Sequence, residues 1–167
     1  DSHGGAEFEI VSLAEFNIPI LTSATVPGAA NRQYDTPEVQ KWSEAIDSFD
    51  AFIFVTPEYN HGVPGALKNA IDWASRPWGQ NSFARKPSAI IGASTGAIGT
   101  AVMQSSMRSV LSFLNAPQLN APEAYITFRP EVFGADGHPV RVRDVRHYGV
   151  HPIYRVTLSD GTMTRCT

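Results

Sequence analysis

Residues 51–77 read AFIFVTPEYNHGVPGALKNAIDWASRP, and they restrict the fold more than any other part of the chain. The first six, AFIFVT, form an unbroken apolar run, which suits a strand buried on both faces of a parallel sheet. Pro57 fixes its own φ and biases Thr56 towards extended backbone, so the strand must end sharply. Gly62 and Pro64-Gly65 then let the chain bend and start a helix. Over residues 65–75, Leu67, Ala70, Ile71 and Ala74 recur at helical spacing, and Pro77 stops the run. A strand, a stiff polar turn and an amphipathic helix make the unit from which alternating α/β sheets are built.

The rest of the chain repeats that unit. EFEIVSL, residues 7–13, alternates apolar and polar and is read as a short strand. Residues 14–35 form an irregular connection. Thr36-Pro37-Glu38 is a helix start, with the Thr36 hydroxyl as the expected cap, followed by Val39, Trp42, Ala45, Ile46 and Phe49 on one face. SAIIGA, residues 88–93, is a second buried strand. A helix over roughly 97–114 presents Ala101, Met107, Val110, Leu111 and Leu114, and AYITF, residues 124–128, closes the series as a strand. The expected architecture is an open α/β sheet with helices on both faces. In such sheets ligands bind beyond the carboxyl ends of the strands. Loops 57–64 and 94–99 both occupy that position and are expected to line one crevice.

Composition excludes several classes. A chain of 167 residues with 43% hydrophobic residues suits one ordinary domain. Its net charge of −3 does not point to nucleic acid. The single cysteine, Cys166, cannot build a disulfide framework, and this fits a reducing cytoplasm. No apolar run approaches membrane-spanning length and no signal peptide is visible, so a cytoplasmic protein without a membrane partner is expected. The five histidines and one cysteine show no metal-ligand spacing. Residues 139–167 hold five arginines against two aspartates, a net +3 that leaves −6 for the rest.

Two loops carry chemistry. In Pro57-Glu58-Tyr59-Asn60, Tyr59 offers a flat face and a hydroxyl, and Asn60 offers both a donor and an acceptor. Free backbone N–H groups there could meet a planar, electron-accepting ring; a well-made turn with no ligand is the plainer alternative. Gly92-Ala93-Ser94-Thr95-Gly96 matches G-x-S-x-G, the pattern of a hydrolase nucleophile elbow. Asp136, Asp144, His138, His147 and His151 follow it in suitable order. The competing reading is a hydroxyl- and glycine-rich loop at a helix N-terminus that holds a polar ring or an anion. His61 reads as a polar loop residue with no carboxylate partner set by spacing. Trp73 and Trp78 read as core packing or a subunit contact.

PEYNHGVPGALKNAIDWASRP resembles the signature of the NADPH-dependent FMN reductases, a flavodoxin-like group that includes chromate and quinone reductases. EFEIVSLAEFNIPI is similar to that family's second strand and following loop, and KPSAIIGASTGAIGT to its fourth strand and second flavin loop. The resemblance covers roughly residues 6–138. It implies a doubly wound sheet of order 2-1-3-4-5, bound FMN, and a homodimer or homotetramer. It also implies transfer from NADPH or NADH through FMN to a quinone, azo dye, metal oxyanion or free flavin. By the same resemblance Pro57, Glu58, Tyr59 and Asn60 meet the flavin ring largely through backbone groups, and Ser94, Thr95 and Gly96 approach it from the next strand. No side chain is nominated as catalytic and no metal ligand is implied.

Two departures from the family shape the expectation. The family's first strand and its Ser/Arg-rich phosphate loop would precede Glu7 and are expected to be missing, so truncation and weak FMN affinity, or none, are expected of this chain. The family's closing helix is replaced, after residue 138, by a basic tail. PIYRVTL, a turn at Ser159-Asp160-Gly161, and TMTRCT read as a β-hairpin. That tail, under 30 residues, resembles part of an intein-type (Hint) domain without its self-splicing residues; a family-specific β tail is the alternative. The expected division is a reductase domain at 1–138 and a tail at 139–167. A serine hydrolase acting through Ser94 and a non-catalytic remnant or fusion fragment are the rival readings.

Overall fold

The computed structural model describes residues 7–23, 25, 32–129, 144–146, 154–157 and 163–166. The chain divides into two compact units, Asp1–Ile126 and Thr127–Thr167.

In the first unit, α1 spans Pro37–Ser48, β1 Phe52–Val55, α2 Gly65–Ala74, β2 Ser88–Ser94, α3 Ala101–Phe113 and β3 Ala124–Thr127, the last strand crossing the unit boundary. The sheet has the order β1-β2-β3, with β1 and β2 parallel and Phe52, Ile53, Phe54 and Val55 opposite Ser88, Ala89, Ile90 and Ile91. The helices sit where apolar spacing places them. Their buried apolar side chains are Val39, Trp42 and Ile46 from α1, Ala70, Ile71, Trp73 and Ala74 from α2, and Met103, Met107 and Leu111 from α3. Each large apolar side chain buried this way contributes about 1.5–3 kcal/mol. Trp42 donates from Nε1 to the Ala70 carbonyl at 2.8 Å, which locks α1 to α2 without an orphaned indole N–H. On β1, the rings of Phe52 and Phe54 lie 5.9 Å apart and both meet Phe83, which is fully buried.

Three expectations are corrected here. First, β1 is not buried on both faces: Ile53 is 58% and Val55 78% exposed, while Phe52 and Phe54 face the core. Side chains alternate across a strand, and the described residues cover only one of its sides. Second, residues 7–13 form no strand. Among the described residues no strand lies along the edge of β1 opposite β2, and alternation alone cannot hold a strand without a partner. Instead Leu13–Glu15 make a turn of 3₁₀ helix, and Phe16 packs edge-on against Trp42 at 5.1 Å. The segment is held by α2: the Pro19 carbonyl accepts from Asn69 Nδ2 at 2.9 Å and from Trp73 Nε1 at 2.8 Å, and Leu21 N–H donates to Asn69 Oδ1. Third, Thr36 occupies the cap position of α1 but its hydroxyl caps nothing; its carbonyl accepts from Val39 and Gln40 N–H.

The C-terminal end of α1 is closed by a cation. Lys86 Nζ donates to the carbonyls of Ile46 at 3.0 Å and Asp47 at 2.9 Å, where the helix dipole favours positive charge.

In the second unit the tail pairs as antiparallel strands in the order β4-β5-β6, with β4 at Asp144–Arg146, β5 at Tyr154–Thr157 and β6 at Met163–Cys166. The β5–β6 pairing, Tyr154 opposite Cys166 and Thr157 opposite Met163, agrees with the hairpin expected there. β4 adds a strand that the sequence pattern had not separated. The turn at Ser159-Asp160-Gly161 lies outside the described residues.

Candidate functional site

Thr56 N–H donates to the Ile91 carbonyl at 3.1 Å, so the last bond between β1 and β2 sits just below both loops. The two strands diverge from there into Pro57–Asn60 and Thr95–Thr100. Their close approach depends on Gly92, since a Cβ there would lie 2.2 Å from the Thr56 carbonyl oxygen.

The first loop is a reversal of defined geometry. Tyr59 and Gly62 pair both ways, Tyr59 N–H to the Gly62 carbonyl at 3.2 Å and Gly62 N–H to the Tyr59 carbonyl at 2.9 Å. Asn60 and His61 between them are both left-handed, with φ of 49° and 58°. Two left-handed central residues define a primed turn, and Asn tolerates that conformation best among residues with a side chain. The reversal leaves Tyr59, Asn60 and His61 exposed.

Glu58 departs from its neighbours. Its side chain is 7% exposed, and Oε2 accepts from the N–H of Met103, in the first turn of α3, at 2.8 Å. A carboxylate is favoured there by the helix dipole and by an otherwise unsatisfied donor. Any contact Glu58 makes with a ligand therefore falls to its backbone. His61 Nε2 stands 4.0 Å from the other carboxylate oxygen, so a carboxylate does face His61, which spacing had not indicated.

The second loop leaves β2 at Ser94, whose Oγ accepts from Gly96 N–H at 3.0 Å. Thr95, Gly96, Ala97 and Ile98 are exposed. Gly99 has a φ of 58° and lies against the Tyr125–Ile126 backbone, where a Cβ would come within 2.8 Å of Ile126 N. This geometry disfavours the hydrolase reading. Ser94 is not among the residues with strained, left-handed backbone, and residues 95–100 separate it from α3, whereas an elbow turns directly from strand to helix. Asp136, His138, His147 and His151 lie outside the described residues.

The seven candidate residues thus fall at the carboxyl ends of two adjacent parallel strands, the position at which open α/β sheets bind ligands. The sequence matches the model of the NADPH-dependent FMN reductase family over residues 1–131, and the chain belongs to that family. The chain is 49% identical over 115 residues to a 2-hydroxy-1,4-benzoquinone reductase of Burkholderia sp, covering 68% of this chain and 62% of that protein. It is 48% identical over 101 residues to an NAD(P)H-dependent FMN reductase of Pseudomonas aeruginosa, covering 60% and 54%. Among solved structures, the flavoenzyme NAD(P)H:(acceptor) oxidoreductase FerB of Paracoccus denitrificans superposes with a TM-score of 0.68 at 36% identity, over 83% of this chain and 71% of that one. The fold is flavodoxin-like. The chain spans between half and two thirds of the length of the first two relatives.

The described residues fit the ring of FMN. Among them, nothing accepts a hydrogen bond from the N–H of Asn60 or Thr95, and both residues are exposed at the strand ends. Unengaged backbone donors, an amide side chain and a tyrosine face suit the polar edge and the plane of an isoalloxazine. The residues ahead of Glu7, where the family's phosphate loop is expected to be missing, lie outside the described residues. Also among these residues, no His/Cys/Asp/Glu group could hold a metal ion, and no helix is long and apolar enough to cross a membrane.

Trp73 is buried in the core, whereas Trp78 is 77% exposed and lies 6.0 Å from the ring of Phe113, itself 74% exposed.

Proposed function

We propose that this chain forms the flavin-facing part of an FMN-dependent NAD(P)H oxidoreductase acting on a quinone or a related small-molecule acceptor. The observation that carries the reading is the pairing of the two strand-end loops, with the donors of Asn60 and Thr95 left unengaged while Glu58 is turned into α3. In this reading Asn60 and Thr95 hold the polar edge of the flavin, Pro57, Glu58 and Gly96 bring backbone close to it, and Tyr59 lies alongside. Ser94 shapes the second loop through its bond to Gly96. FMN, when bound, supplies the hydride and electron transfer. The quinone reductases among the relatives support the acceptor class.

The chain acts as a homo-oligomer in this reading. The exposed Trp78–Phe113 pair beside the Lys68–Asp72 ion pair and Arg76 supports it, since such a patch carries both signs of charge and can match its own copy.

The test is NADPH oxidation with benzoquinone, with and without FMN. Oxidation above that of free FMN alone is the expected result. A folded chain that adds nothing to the free-flavin rate would overturn the reading.

A further inference from the structure

The Glu58 carboxylate reaches across 45 residues of sequence to a helix that begins beyond the other loop. No side-chain cap comes from the Thr100 flank of α3. Thr100 holds the cap position, but its side chain makes no capping bond, and its Oγ1 accepts from Gln104 Nε2 at 2.9 Å. The Met103 donor is instead met by a nearly buried anion from the first loop. A charge-assisted bond of this kind at a helix N-terminus is among the stronger polar contacts a loop can make.

We propose that Glu58 is a positioning residue, a strut that ties the Pro57–Asn60 lip to α3 and so sets its distance from the Ser94–Gly96 loop. The inference rests on the reading of these two loops as one ligand site. With Glu58 drawn inward, the chain beyond it must turn back within two residues, and the left-handed Asn60-His61 pair accomplishes this. The second loop is held at its far end by Gly99 against the backbone of β3. The two loops are thus joined below by the Thr56–Ile91 bond and across by Glu58–Met103. Glu58 then acts on a ligand without touching it through its side chain, by limiting how far the crevice can open.

Amide hydrogen exchange, followed by NMR on the whole chain, tests this. The probes are the N–H groups of Gly62 in the lip, Gly99 in the second loop and Met103 in α3, each hydrogen-bonded in the structure. In Glu58→Ala all three should exchange about tenfold faster, while Thr56, between the strands, keeps its rate. Glu58→Gln retains an acceptor oxygen and should restore all three to near the wild-type rate. Faster exchange at Met103 alone would make Glu58 a local helix cap and overturn the proposal. Should Glu58→Ala not fold, the wild type decides: similar opening free energies at Gly62, Gly99 and Met103 support the strut, and unrelated ones contradict it. An FMN titration separates this from the proposed function. Binding weakened about tenfold in Glu58→Ala and kept in Glu58→Gln supports the strut; equal binding in both contradicts it. A wild-type chain that binds no FMN counts against the proposed function, and the exchange rates still decide the role of Glu58.

Discussion

Gly92 is where a single atom most directly decides whether the site can exist. An added Cβ would lie 2.2 Å from the Thr56 carbonyl and 2.8 Å from Thr100 Oγ1, and a backbone oxygen in a parallel ladder has nowhere to go. Gly92→Ala is expected to cost about 3 kcal/mol in urea unfolding, the upper range for overpacking. A loss well under 1 kcal/mol would mean that the strands are less tightly apposed. Asn60 could be read as a turn residue from its type and its setting between Tyr59 and Gly62. The role of Glu58 could not. Its partner is 45 positions away, and the donor is a backbone N–H that any residue type at position 103 would supply except proline.

The elements show the same division between local and long-range causes. α1, α2 and α3 were legible because apolar spacing and a proline at or near an end are local signals, and their buried faces follow that spacing. EFEIVSL has a strand pattern, but a strand needs an edge to pair with. What holds the segment is Asn69 and Trp73 reaching the Pro19 carbonyl, which no periodicity encodes. At the other end of the unit, Lys86 closes α1, and its pKa lies below the ordinary lysine value. Burial is the main cause, with the Arg32 charge adding to it and Asp47 and Asp50 opposing. The unfolded chain therefore binds more protons than the folded one between that lowered pKa and about 10.5, and the Lys86 contribution to stability rises with pH across the window. Tyr125 acts with the opposite sign. Its hydrogen bond with Glu123 raises its pKa first, helped by burial, so its contribution is lost as pH climbs above about 10. Comparing wild type with Lys86→Met isolates the lysine. The variant should lose the alkaline rise, and identical pH slopes in denaturant titrations would contradict the assignment.

For the whole molecule, the exposed aromatics make a specific prediction. Trp78 and Phe113 lie side by side on the surface of the first unit and line a groove of about 630 Å³ together with Lys68, Asp72 and Arg76. Sedimentation should find an oligomer that Trp78→Asp dissociates while the circular dichroism of the fold is retained; a monomeric wild type would contradict it. The central claim concerns the crevice at the other end of the helices, and it is tested most directly by titrating isotope-labelled chain with FMN. The amide signals of Asn60 and Thr95 should shift first and furthest, with those of Tyr59 and Gly96 following. Saturable shifts that leave both loops untouched, or no shift at any FMN concentration with a folded chain, would contradict it.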